Sequence, residues 1–155
     1  MSNLYTPGLA LYSIPLVWAT AFVPAVIRVK TLKAANAIGY TNVTPRSNVA
    51  RLQETQKVGQ EFKDRLARLG GAHENGMENL PIWIGAVLAG YYAGVPHETL
   101  NKFAVGYVGL RVLYDIIYIN QKTETQGNMR TVVFFAALSL PLTLLIKSGN
   151  KLALA

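Results

Sequence analysis

The sequence predicts an all-α integral membrane protein: a bundle of four transmembrane helices, the second extended into the cytosol. Three observations predict it. Apolar residues make up 51% of the 155-residue chain and charged residues 15%, against roughly a quarter charged in soluble domains. The charges are also bunched. Leu4 to Ile27 gives 24 residues without one, Asn79 to Pro96 gives 18 and Thr131 to Ile146 gives 16, where a span needs about 20 mostly apolar residues and tolerates roughly 17. A fourth block, Phe103 to Gln121, is broken only by Arg111 and Asp115. Third, the basic residues segregate across the topology these blocks imply. A soluble bundle is the competing reading, but four such blocks in so short a chain leave little polar sequence to clothe a surface.

The whole chain, 1–155, forms one domain, with helices at roughly 5–36, 51–94, 99–121 and 128–147. The first span holds Pro15 and Pro24, tolerated in a membrane helix where neighbours satisfy the freed carbonyls, and ends on basic Arg28, Lys30 and Lys33. It has no basic segment before it and is longer than a signal-peptide core, so a cleaved signal is not expected. Ile38 to Val49, with Gly39, Asn42, Pro45 and Ser47, reads as a loop. Arg51 to Arg68 is polar but helix-forming, with Leu52, Val58, Phe62, Leu66 and Leu69 roughly on one stripe. It is the water-exposed lead-in to the second span, with Gly70-Gly71 as a place where the helix loosens. Pro81 sits one turn inside that span, which closes near Gly94-Val95-Pro96. Thr99 is the expected N-cap of the third helix. Lys122 to Asn128 reads as a loop, and the fourth helix carries Pro141 before a short basic tail from Lys147.

With four spans, loops one and three share one face. That face holds Arg28, Lys30, Lys33, Arg46, Arg51, Lys57, Lys63, Arg65, Arg68, Lys122 and Arg130, 11 of the 15 basic residues. The positive-inside rule puts those loops in the cytosol and both termini on the opposite side. The formal charge of +7 is thereby explained as topology signal and attraction to lipid headgroups. Nothing in the chain matches a nucleic-acid-binding motif, so no nucleic-acid partner is expected. The absence of cysteine excludes disulfides, thiolate nucleophiles and Cys-based metal sites.

Chemistry concentrates at the cytosolic mouth. In Gly71-Ala72-His73-Glu74-Asn75-Gly76-Met77-Glu78-Asn79-Leu80-Pro81, Asn75 and Glu78 are i, i+3 neighbours on one helix face, and an acid at the edge of an oily segment is a functional candidate by default. On the third helix, Arg111, Tyr114 and Tyr118 form a polar stripe with Asp115 beside it. On the fourth, Arg130 and Thr131 sit at the start, with Phe134 one turn on. Each has a plainer reading: Arg111 with Asp115 as a buried ion pair, the tyrosines as interfacial aromatics, Arg130 as a topology anchor. His73-Glu74 lacks the second histidine a helical metal site needs, so no metal is expected. Together the groups describe a site for a small zwitterion, arginines for carboxylates and a glutamate for an amine. Trp83, Ile84, Phe134 and Leu138 are candidates to line an apolar pocket beside it, though their types suit helix packing equally.

The motif Ala72-His73-x-Asn75-x-Met77-Glu78 followed by Pro81, then Arg111-Val112 with Tyr118, then Arg130-Thr131, resembles the MAPEG family, the membrane-associated proteins of eicosanoid and glutathione metabolism. Arg28 with Ala35-Asn36 resembles the end of the family's first helix, and the likeness covers nearly the whole chain. It implies a homotrimer of four-helix subunits in the endoplasmic reticulum or a related membrane, with glutathione held between neighbours. Arg28, His73, Asn75, Glu78, Arg111, Tyr114, Tyr118, Arg130 and Thr131 would line that site. Arg130 would stabilise the glutathione thiolate and Tyr118 would assist, the sulfur attacking a lipophilic electrophile from the bilayer. The activity implied is a microsomal-type glutathione transferase, with lipid-hydroperoxide reduction as a second outlet. A glutathione-dependent isomerase and a non-catalytic lipid-presenting member are the alternatives. Gly71 stands where family members carry an arginine, a carboxylate contact either lost or supplied by Arg68 one turn back.

Overall fold

The computed structural model describes residues 4–36 and 38–154, and among them every regular element is helical. A 3-10 turn at Leu9–Tyr12 leads into α1, Ser13–Ala35; α2 is short, Ser47–Glu54; α3 spans Gln60–Tyr92, α4 His97–Asn120 and α5 Glu124–Ala153. The four long helices pack in a ring, α1 on α3, α3 on α5, α5 on α4 and α4 back on α1, with α3 and α4 also touching across the diagonal. Pro24, Pro81 and Pro141 lie inside α1, α3 and α5 without ending them.

Three segments are long and apolar enough to cross a membrane: Leu9–Ala35, His97–Asn120 and Glu124–Ala153. The fourth expected span, α3, falls short on composition. Its first half carries Glu61, Lys63, Asp64, Arg65 and Arg68 and its middle His73, Asn75 and Glu78. Its 33 residues nonetheless reach about 50 Å at the rise of an α-helix.

Two apolar clusters hold the bundle. In one, the Trp83 ring stacks on Tyr107 at 4.2 Å between centroids among Val17, Val87, Leu100 and Leu144. Its indole N–H donates to Ser13 Oγ at 3.0 Å, so the polar edge of a fully buried ring is satisfied. The other cluster joins Leu32, Leu52, Leu66 and Leu69 and explains a departure from expectation. Helix does not begin at 51 and run through. Instead α2 folds as a separate cap that buries Leu52, the chain breaks over 55–59, and α3 starts after extended Gly59. Asn48, fully buried, organises the preceding loop: its amide donates to the carbonyls of Thr41 at 2.8 Å and Pro45 at 3.0 Å and accepts from the Thr41 N–H at 3.1 Å. Lys63 Nζ then ties α3 to the Gln53 carbonyl at 2.7 Å.

Other boundaries move for local reasons. α4 begins at His97, with Pro96 rather than Thr99 in the N-cap position, where proline's missing N–H breaks no intrahelical bond. α5 begins four residues before the expected start because Thr123 and Gln126 form a capping box, Thr123 Oγ1 accepting from the Gln126 N–H at 3.3 Å and Gln126 Oε1 from the Thr123 N–H at 3.2 Å. It runs on to Ala153, and Lys151 in its last turn donates to the Gly94 carbonyl in the α3–α4 turn.

Candidate functional site

The candidate residues gather on two flanks of α3. On the α4–α5 flank, Arg111 is 1% exposed, and its Nη1 donates to Asn75 Oδ1 at 3.2 Å. That bond assigns the Asn75 amide, whose nitrogen remains free to donate. The guanidinium lies 4.8 Å from the Tyr114 ring centroid; Tyr114 in turn meets Tyr118 edge-on at 5.5 Å and Phe134 at 6.0 Å. The Arg130 guanidinium caps the assembly, 4.6 Å over the Tyr118 ring. Asn75, Tyr114, Tyr118, Arg130, Thr131 and Phe134 thus border one cavity of about 320 Å³. Among the described residues Arg130 makes no ion pair, and no hydrogen bond engages the Tyr118 hydroxyl. Both remain available to a ligand. Thr131 is exposed, and its hydroxyl donates to the Gly127 carbonyl at 3.1 Å.

On the α1 flank, His73 Nδ1 lies 2.8 Å from the Ala21 carbonyl. A carbonyl only accepts, so in this contact Nδ1 carries the proton. Arg28 lays its guanidinium against Gly70, where a Cβ would stand 2.9 Å from Nη1 and 3.0 Å from Cζ. Arg28 and His73 border, with Arg46 and Glu74, a separate cavity of about 580 Å³. The two cavities share no residue, so within one chain the nine candidates do not form a single site.

Gly70 and Gly71 are the residues that the sequence undervalued. They do not loosen α3, which is continuous through them. They seat two site side chains arriving from opposite sides, Arg28 on Gly70 and the Tyr118 hydroxyl on Gly71; a Cβ at 71 would lie 2.9 Å from Tyr118 Cζ and nearer still to its oxygen. The available signal was two adjacent glycines inside a helical pattern, where each costs stability unless something packs there.

Other expectations divide. Arg111 and Asp115 form no ion pair: the guanidinium turns to Asn75 while Asp115, 8% exposed, keeps Oδ1 without a partner. The i, i+4 spacing permits the pair, but the guanidinium is held by Asn75 and the Tyr114 ring instead. Glu78 is exposed and makes no hydrogen bond or ion pair among the described residues. Arg68, one turn before Gly71, donates from Nε to the Ile119 carbonyl at 3.2 Å and pairs with Glu61 at 2.9 Å. It borders a polar cavity of about 580 Å³ that also includes Arg130. Trp83 belongs to the core, and Ile84 packs against it; of the four apolar candidates only Phe134 reaches the small cavity. No three His, Asp or Glu side chains converge as a metal site among the described residues.

A family model described as the MAPEG family matches residues 5–150 of the chain. No curated protein and no solved structure matches it.

Proposed function

The chain belongs to the MAPEG family, and from that membership we propose a glutathione-dependent membrane enzyme, a transferase acting on lipophilic electrophiles. Membership and three apolar helices make it an integral membrane protein. The observation that carries the activity is the Arg130 guanidinium, stacked on Tyr118 at the rim of a cavity and in no ion pair among the described residues. The donor set there fits glutathione: a free cation, the Tyr118 hydroxyl and the Asn75 amide face one small space, and Glu78 offers an unpaired carboxylate for an ammonium. When bound, glutathione supplies the sulfur nucleophile that a chain without cysteine lacks.

The roles of the residues follow from their surroundings. Arg130 favours negative charge beside it, the condition that lowers a thiol's pKa. Tyr118 holds that guanidinium through its ring face and presents its hydroxyl as a hydrogen-bond donor. Arg111, buried and bonded to Asn75, fixes the amide's orientation and adds positive potential behind the cavity. Arg28 and His73, on the other flank of α3, would complete the same site only from a neighbouring copy, which supports an assembly of copies; that it is a homotrimer we take from the family. We place loops one and three in the cytosol and the protein in the endoplasmic reticulum or a related membrane, on the charge count and the family. Peroxidase or isomerase chemistry would use the same arginine.

Stopped-flow absorbance at the thiolate band tests this. Purified protein mixed with glutathione should give a thiolate signal, and Arg130→Ala should lose it while remaining assembled. Full conjugating activity in Arg130→Ala would remove the assignment, and a parent protein that neither forms thiolate nor binds glutathione in calorimetry would point to the lipid-presenting alternative.

A further inference from the structure

We propose that one acyl chain of an anionic phospholipid lies in the groove between α1 and α4, with its headgroup phosphate on Arg65. The groove has a volume of about 590 Å³; Leu16, Val23 and Val112 are among its walls, and Ile27, Asn120 and Arg65 border it as well. None of its residues borders the Arg130 cavity, so the proposal stands apart from the glutathione reading.

Length, polarity and charge lead to that ligand. Leu16 to Ile27 runs about 16 Å along α1, close to one leaflet of a hydrocarbon core about 30 Å thick. A chain anchored at one membrane surface fits that length, whereas a partner's spanning helix would run on through the second leaflet. The walls are chiefly aliphatic, so the body that fills them must be apolar. Most of the polar groups on the groove are already committed. Thr20 Oγ1 donates to the Val17 carbonyl at 2.8 Å and Asn120 Nδ2 to the Ile116 carbonyl at 2.8 Å, each on its own helix. Asp115 is 8% exposed with its unpartnered Oδ1 buried, and Arg111 has Nε and Nη2 buried and unpartnered one turn away. These opposite charges offset one another inside the bundle. Arg65 is left. It is exposed and makes no hydrogen bond or ion pair among the described residues. The acids nearest in sequence are engaged elsewhere, Asp64 accepting from Gln60 at 2.8 Å and Glu61 pairing with Arg68 at 2.9 Å. Lys30, about one turn past Ile27 on α1, is exposed and equally unpaired, a second cation at the same end. A zwitterionic headgroup would leave that positive charge uncompensated, while an anionic one brings the missing negative charge to it.

The full chain, reconstituted in phosphatidylcholine bilayers, would be irradiated with a trace of phosphatidylglycerol carrying a diazirine on one acyl chain. Phosphatidylcholine with the same chain, and the free fatty acid, would be run in parallel. The phosphatidylglycerol should label peptides from Leu16–Ile27 and Val108–Asn120 about fivefold more than the phosphatidylcholine, the preference that one cation at headgroup level gives. Arg65→Gln should bring the two to parity. Lys57→Gln, which removes an equal charge from the segment before α3, should leave the preference as it is. Equal labelling by the two phospholipids in the parent protein overturns the proposal without any variant having to fold. So does a preference that Lys57→Gln lowers as much as Arg65→Gln, since general surface charge would then account for it, or one that maps to α3 and α5. Labelling by the free fatty acid as strong as that by phosphatidylglycerol, and as dependent on Arg65, would give the groove to a carboxylate instead of a phospholipid.

Discussion

Replacing Gly71 by alanine perturbs the proposed site through a single methyl group. The new Cβ would sit 2.9 Å from Tyr118 Cζ, where ordinary contact begins at 3.4 Å, and closer still to the hydroxyl oxygen. The phenol must therefore retreat by roughly half an ångström at Cζ and more at the oxygen. Tyr118 cannot retreat alone, because Arg130 stacks on its face and Tyr114 on its edge. A misplacement of about 1 Å costs up to roughly a hundredfold in rate at a site that depends on alignment, so kcat/KM with glutathione and a model electrophile should fall about tenfold to a hundredfold. Fold stability should change little, since the moving group is the tip of a side chain that borders a cavity. The reasoning includes its own control. Tyr118→Phe removes the oxygen that collides, so Gly71→Ala should cost clearly less in that background than in the parent. Additive losses in the double variant, or a Gly71→Ala protein with unaltered kinetics and an unmoved Tyr118, would refute the claim that Gly71 seats the hydroxyl.

Two further outcomes concern stability. At Gly76 a Cβ would meet Ala21 at 2.5 Å from its Cβ and 2.8 Å from its Cα, and backbone gives way less readily than a side-chain tip. Gly76→Ala should therefore force α1 and α3 apart and cost about 1–3 kcal/mol, read as a lower melting temperature together with exchange of the His73 ring proton now held on the Ala21 carbonyl; an unchanged melting temperature would mean that the close approach is not needed. Thr123→Ala removes one half of the capping box and should cost about 1 kcal/mol, with faster hydrogen exchange confined to the first turn of α5; no change there would show that the helix start is fixed by packing alone.

The parts of the fold set by gross hydrophobic pattern were legible in the sequence, because long neutral blocks and bunched charges survive any detail of packing. Three long apolar helices follow from that pattern, whereas α3, polar through its first half, does not meet it. What the pattern could not carry was local competition. Leu52 belongs to a stripe that reads as one long helix, yet burying it against Leu32 and Leu69 favours a detached α2 with Asn48 tying the loop. The capping box at Thr123 was present in the letters and was outweighed by the polar look of the loop. At the candidate site, residue types and order were legible, but the choice of partner was not. Arg111 has Asp115 one turn on along its own helix and Asn75 across on α3, and the position of α3 decides between them. Gly71 carried no chemical signal of its own; what matters there is the empty volume, which spacing does not encode.

The separation of the candidates onto two flanks of α3 bears on how copies could be counted. A contact that lays the Arg28 flank of one copy on the Arg130 flank of the next joins unlike surfaces. An open row built this way always ends with one of each left over, so it completes one site fewer than it has members. Only a closed ring gives every copy a finished site. Copies that share a bilayer also share one orientation across it, so the symmetry axis open to such a ring is the one along the membrane normal. Stoichiometry would then be fixed by the angle between the two flanks of one helix rather than by any residue devoted to assembly.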